Sequence, residues 1–197
     1  MNAIPVVAPG RRFCRLATLL VLAFALTFGL LTPGARAQDA DKERPFELFG
    51  GYSYLHEDGN GFNGWTATFI ANINKWFGIA ADFDGHYRSA TEEGEHVSEH
   101  EHGFTFGPHV SFHNESRLTP FAFALFGGAH ASVSLAGRTV SDTGFAGNFG
   151  GGVDVHVNEA ISVRLIQIDA AYTRFNGVGN TSPRISTGIV FHFGTPR

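Results

Sequence analysis

Eight residues within an eleven-residue run, Glu92, Glu93, Glu95, His96, Glu99, His100, Glu101 and His102, bring together three imidazoles and five carboxylates. Imidazole and carboxylate form a ligand set suited to zinc, nickel or copper, and His96, His100, His102, Glu99 and Glu101 are the expected ligands of a divalent cation. The competing reading is a solvated acidic loop, because no neighbouring group stands out as the hydrogen-bond partner that orients a metal-bound histidine. Segment 88–102 is expected to face solvent, where it could meet a divalent cation or a surface partner.

A second set is spread along the chain: Glu47, Asp82, Asp84, His109, Asp154, Arg164, Gln167 and Asp169. These residues interrupt an otherwise apolar pattern, so they must be paired or hydrated. They are expected to form a polar network inside the fold. Asp154 and Arg164 flank the short connection Val157 to Glu159, which sets them at one height on neighbouring strands and makes them the first expected ion pair. A row of acids could instead line a narrow path favouring cations. His86, His109 and His130 with Asp82, Asp84 and Ser111 are the ingredients of a lipid hydrolase. Catalysis on lipid needs a nucleophile reachable from the bilayer, whereas His109 and Ser111 belong to the inward set.

These roles depend on elements that fix an inside and an outside. Residues Phe46 to Phe193 read as eight stretches in which one alternate set of side chains carries no charge. The uncharged sets are Phe46, Leu48, Tyr52 and Tyr54; Trp65, Ala67, Phe69, Ala71 and Ile73; Phe77, Ile79, Ala81, Phe83 and Tyr87; Phe104, Phe106, Val110 and Phe112. They continue with Phe121, Phe123, Leu125 and Ala129; Phe145, Phe149, Val153 and Val155; Ile161, Val163 and Leu165; and Ile185, Thr187, Ile189, Phe191 and Phe193. Such a pattern follows if each strand faces hydrocarbon, where a basic residue at the midplane costs roughly 2–4 kcal/mol. The opposite sets hold Asp82, Asp84, His86, Thr105, His109, Ser111, His130, Asn148, Asp154, Arg164 and His192. Gln167 and Asp169 fall out of phase with Arg164, which predicts a bulge near Ile166. Pro108 lacks the N–H that a closed barrel requires, so a bulge or strand break is expected there.

Residues 1–37 read as a secretory signal, with Arg11, Arg12 and Arg15 preceding the apolar stretch Leu16 to Leu31 and the small-residue site Ala35-Arg36-Ala37. Residues 38–45 form a polar periplasmic lead, and 46–194 the barrel domain. Without the signal, ten basic residues face 18 acidic ones, a formal charge of -8. That excludes nucleic acid as a natural partner. Cys14 lies in the signal, so the remainder has no cysteine for disulfides. No later run approaches the roughly 20 apolar residues of a spanning helix, and eight strands of about ten residues fit the available length. Connections alternate between long (55–64, 88–102, 132–143, 174–183) and short (74–76, 113–119, 157–159), with long loops expected outside the cell.

The segments Glu47-Leu48-Phe49-Gly50-Gly51-Tyr52-Ser53-Tyr54, Pro120-Phe121-Ala122-Phe123-Ala124-Leu125-Phe126-Gly127-Gly128-Ala129 and Gly188-Ile189-Val190-Phe191-His192-Phe193-Gly194 resemble the outer-membrane β-barrel domain family related to the OmpA transmembrane domain. The resemblance implies an eight-stranded antiparallel barrel in a Gram-negative outer membrane, and supplies no shared catalytic residues. The reading is therefore an all-β, eight-stranded, antiparallel, up-and-down transmembrane β-barrel, monomeric and without cofactor, surrounded by outer-membrane lipid. Its expected role is non-enzymatic, in the envelope or in surface interaction. The alternatives are loop-mediated binding of a metal or partner, a narrow cation-favouring pore, a lipid-modifying enzyme and a soluble lipocalin-like carrier.

Overall fold

The computed structural model describes residues 44–57, 59–92, 95–113, 116–135 and 138–195, with side chains at all of these except 90–92, 95–97, 135 and 138. The expected signal segment and most of the expected lead lie outside the described residues. Eight strands follow in order: β1 (Phe46–Glu57), β2 (Asn60–Asn72), β3 (Phe77–Glu92), β4 (Glu95–Ser111), β5 (Leu118–Leu135), β6 (Arg138–Asn158), β7 (Ile161–Phe175) and β8 (Val178–Phe193). Each pairs antiparallel with its neighbour, and β1 pairs with β8 from Phe46↔Phe193 to Leu55↔Arg184, closing an eight-stranded barrel. Closure leaves no strand edge, which is the condition for sheet to cross hydrocarbon.

The outer wall is apolar. Phe106 is 57% exposed and Ile79 50%, with Phe83, Phe104, Phe149, Ile168, Ile189 and Phe191 likewise bare. Across the described outer face of the wall no charged side chain interrupts this band between Phe46 and Tyr87, which is the composition lipid demands. The opposite side chains are buried, and the interior is more polar than apolar: Asp82, Asp84, Asp154, Asp169, Arg164 and Arg184 are all inside.

Strand β5 is the exception to the expected phase. Phe121, Leu125 and Ala129 are buried, Phe123 packs against the inner cluster of Ile70, Ala80 and Leu125, and Phe126 and His130 face outward. The expected outward set of β5 is thus the inward one, and His130, expected inside, is outside. Neither alternate set of β5 bears charge, so the absence of charge cannot choose between them. Register chooses. Phe123 pairs with His109 and Phe121 with Ser111, and cross-strand partners share a face.

The bulge falls where the polar phase breaks. Val153 pairs with Ile166 but Asp154 with Arg164, leaving Leu165 extra, so Arg164, Gln167 and Asp169 all point inward. At Pro108 the strand runs on unbroken. Pairing of β4 with β5 lapses between Phe106↔Phe126 and His109↔Phe123 without any change of register, so neither bulge nor break is needed.

The four long loops are a correction as well. Pairing runs on to Glu57↔Asn60, Glu92↔Glu95, Leu135↔Arg138 and Phe175↔Val178, so the strands project through most of each expected loop. Strands of up to 21 residues exceed the roughly ten needed to cross a bilayer. At the β7–β8 tip Asn176 and Gly177 both have positive φ (48° and 85°), the two-residue turn that Asn-Gly adopts. Inside the wall, a Cβ at Gly127 would collide with the Phe104 carbonyl, so glycine there lets β4 and β5 approach.

The β5 phase is testable by attaching a fluorophore to a cysteine at 126 or at 125 in a Cys14→Ser background. Brominated lipid is expected to quench the label at 126 strongly and leave Leu125→Cys unlabelled in the folded barrel; equal quenching at both would refute the inward placement of Leu125.

Candidate functional site

Strand β8 alternates Ser182, Arg184 and Ser186 into the lumen, and Arg184 is the centre of the interior. Its Nε donates to Asp169 Oδ2 at 2.8 Å, and its Nη2 donates to Asp82 Oδ2 at 3.0 Å. Its Nη1 lies 3.0 Å from Asp84 Oδ2. One guanidinium therefore serves carboxylates from β3 and β7 at once, which its rigid fork of donors permits and a lysine ammonium would not. The remaining acceptor capacity of Asp82 is used by Thr66 and Thr68, whose hydroxyls donate to Oδ1 at 2.9 and 2.6 Å.

Arg164 forms the second centre, nearer the termini. Its Nε and Nη2 donate to the two oxygens of Asp154 at 2.8 and 3.0 Å, and its Nη1 donates to Gln167 Oε1 at 2.7 Å. The guanidinium carbon lies 4.1 Å from the centre of the Phe49 ring and 4.0 Å from that of Phe121. Two aromatic faces and a bidentate carboxylate thus replace the water that the charge gives up. Gln167 Nε2 donates to Asp169 Oδ1 at 3.1 Å and links the two centres into one network.

The other expected lumen residues take smaller parts. Glu47, near the termini, accepts from Asn72 Nδ2 at 2.6 Å. His109 is buried against Phe121, with Ser111 Oγ 3.4 Å from its Nδ1. The network also uses residues outside the eight expected for the lumen: Arg184, Ser53, Thr66, Thr68 and Phe49, together with Phe121, expected on the outer face. Arg184 stood one alternate step beyond the eighth inner set, so continuing the Gly188, Ser186 phase would have found it. Phe49 follows from the same alternation, whereas Phe121 had no such signal.

A serine, a histidine and an aspartate do meet inside. Ser53 Oγ lies 2.9 Å from His86 Nε2, and His86 Nδ1 lies 3.2 Å from Asp84 Oδ1. The order matches a nucleophile, base and orienting acid, but Ser53 is fully buried. The adjoining cavity, bounded by Asp84, His86, Glu101, Thr105, Asn148 and Arg184 among others, measures about 20 Å³. That holds a water molecule and no lipid ester. The expected hydrolase group is dispersed: His130 is on the outer wall, and Asp82 is committed to Arg184.

At the hairpin end the wall sorts the expected metal ligands. Glu99 and Glu101 point into the mouth with Glu57, around a cavity of about 230 Å³ that Asn60, Phe62 and Val133 also line. His102 lies on the opposite face of β4, and His100 shares its phase; both touch the Tyr87 ring from outside, at 5.4 and 5.5 Å. Alternate residues of a strand point to opposite faces, which sets Glu99 and Glu101 on one face of β4 and His100 and His102 on the other. The side chain of His96 is outside the described set, and no three histidine or acidic residues among the described ones converge on a metal-sized site. In the mouth Arg88 Nη1 donates to Glu99 at 3.0 Å and Asn180 Nδ2 to Glu57 at 2.6 Å.

Comparison with known proteins places this architecture. The family model for the outer membrane protein β-barrel domain matches residues 21–193. Neisserial surface protein A has a crystal structure that superposes with a TM-score of 0.54 at 17% identity, over 75% of this chain and 96% of that one. Ail, the attachment invasion locus protein of Yersinia pestis, superposes with a TM-score of 0.53 at 17% identity, over 78% of this chain and 100% of that one. Ail is also known in complex with the heparin analogue sucrose octasulfate. Compared by sequence with curated proteins, the chain matches none. At this identity the likeness is one of fold.

Replacing Arg184 by Met strands three buried carboxylates and is expected to lower the unfolding free energy in a bilayer by about 3–5 kcal/mol. Urea titration of the reconstituted barrel measures it. A loss below about 1 kcal/mol, the scale of an exposed ion pair, would show that Arg184 is not the centre described.

Proposed function

Because the chain belongs to the outer membrane protein β-barrel family and sits in the outer membrane, we propose that it is a closed, non-catalytic, monomeric barrel whose acidic mouth meets a basic partner at the cell surface. The observation that carries this reading is the division of labour along the barrel. The middle is crossed by the Arg164 and Arg184 centres, which leave cavities of water size. The chemistry left accessible lies at the hairpin end.

The hairpin segments 55–64, 88–102, 132–143 and 174–183 contain eight acidic residues against three arginines and no lysine. Three of the acids, Glu57, Glu99 and Glu101, line the mouth cavity. A surface of that sign steers a cationic protein segment toward it and repels a polyanion. The sulfated ligand seen with Ail therefore has no counterpart on this mouth.

A filled lumen supports the closed reading over the cation path, since eight strands enclose little more than their own side chains. In planar bilayers the purified protein is expected to give no discrete conductance steps, and reproducible cation-selective steps would reverse the assignment.

The surface reading is tested with reconstituted protein and an oligo-arginine peptide as the probe. Binding is expected at low salt, weakening as salt rises past physiological strength, and falling at least about tenfold in the Glu57→Gln/Glu99→Gln/Glu101→Gln variant. Equal binding of sucrose octasulfate, or peptide binding unaffected by the three substitutions, would defeat it.

A further inference from the structure

The hairpin end divides its charged groups between the two faces of the wall. Glu57, Arg88, Glu99, Glu101 and Asp142 belong to the inward phase, whereas His56, His100, His102, His130 and Arg174 belong to the outward phase and are exposed. Among the described residues the outward rim thus carries four imidazoles and a guanidinium and no acid. That division parts Glu99 and Glu101 from His100 and His102 along a single strand.

Three of the imidazoles are neighbours. His102 pairs directly with His130 across β4 and β5, which sets their Cβ atoms about 5 Å apart, and His100 stands about 7 Å further up the same face of β4. Tyr87 of β3 packs edge-on against His100 and His102, and Trp65 Nε1 donates to the Tyr87 hydroxyl at 3.3 Å. Immediately below His102 on the same outward phase come Phe104 and Phe106, stacked on each other and exposed, with Phe83 beside Phe104. The imidazoles therefore stand at the upper border of the apolar band, level with the Tyr and Trp side chains that mark the membrane interface.

We propose that His100, His102 and His130 form a docking surface for the phosphate groups of outer-leaflet lipid, continuous with the apolar band that holds the acyl chains. Phosphate is the anionic group that lipids carry next to their acyl chains, and imidazolium is its complement. Imidazolium, the charged form of histidine, is the form that pairs with a phosphate oxygen. The described groups that share this face are Tyr87 and Ser89 from β3, Ser132 from β5, and Thr143 from β6, whose hydroxyl lies 2.8 Å from His130 Nδ1. The nearest charged groups are Arg88, Glu99 and Glu101, of the opposite strand phase; Glu99 and Glu101 line the mouth cavity, which His100 and Ser132 also border. This surface is independent of the acidic mouth, so either can fail while the other holds.

The test uses the folded full-length barrel in uncharged maltoside micelles, with Trp76→Phe so that Trp65 alone reports. The probes are lipid A, its dephosphorylated form and inorganic phosphate. Lipid A is expected to bind about tenfold more tightly at pH 6 than at pH 7.5, as one linked proton allows. His100→Gln/His102→Gln/His130→Gln is expected to abolish that gain, and arginine at the same three positions to give tight binding at both pH values. A heat-dependent gel shift of each variant verifies folding. Equal binding of dephosphorylated lipid A, a response to inorganic phosphate alone as strong as to lipid A, or an unchanged pH gain in the glutamine variant overturns the proposal. Binding that needs added zinc and vanishes with chelator also overturns it, and assigns the imidazoles to a metal.

Discussion

Two guanidinium groups have been taken out of water in the middle of this barrel, and the cost of doing so shapes the rest of the interior. An unpaired buried cation is too expensive to persist. Arg184 is met by Asp82, Asp84 and Asp169, and Arg164 by Asp154, Gln167 and two aromatic rings. Those partners come from β1, β3, β5, β6 and β7, so the network ties together strands far apart in sequence. Backbone ladders join neighbours only; side chains across the lumen fix the cross-section.

The same packing separates architecture from function. A lumen filled to water-sized gaps leaves no room for the Ser53, His86 and Asp84 alignment to receive a substrate, so a familiar order of residues becomes part of the scaffold. The exchange of polar for apolar faces between inside and outside has a further result at the rim. Beyond the bilayer both faces of a strand meet polar surroundings, so period-2 alternation no longer sorts apolar from polar. It sorts carboxylates to the mouth and imidazoles to the lipid border, and the run Glu99-His100-Glu101-His102 is that sorting written into four residues.

Much of the fold was legible because lipid is an unforgiving solvent. Charge excluded from one alternate set gave the strands and the inward placement of Glu47, Asp82, Asp84, Asp154 and Arg164, and the phase break after Arg164 predicted a bulge near Ile166, next to Leu165 where it falls. The turns were less legible. Asn176-Gly177 is a strong hairpin signal, yet polar residues around it resembled a loop when the strands were expected to stop at the bilayer.

The sequence by itself determined which strands exist, which end carries the acids and, for seven of the eight strands, which face is inside, since each of those carries at least one group that hydrocarbon rejects. Only the tertiary structure decided the face of β5, the rings that enclose Arg164, the role of Arg184 and the parting of glutamate from histidine at the rim. The reason is physical: alternation fixes a side chain relative to its own strand, whereas pairing partners, register and closure fix it relative to the others, and those are set by contacts between residues as far apart in sequence as Phe46 and Phe193.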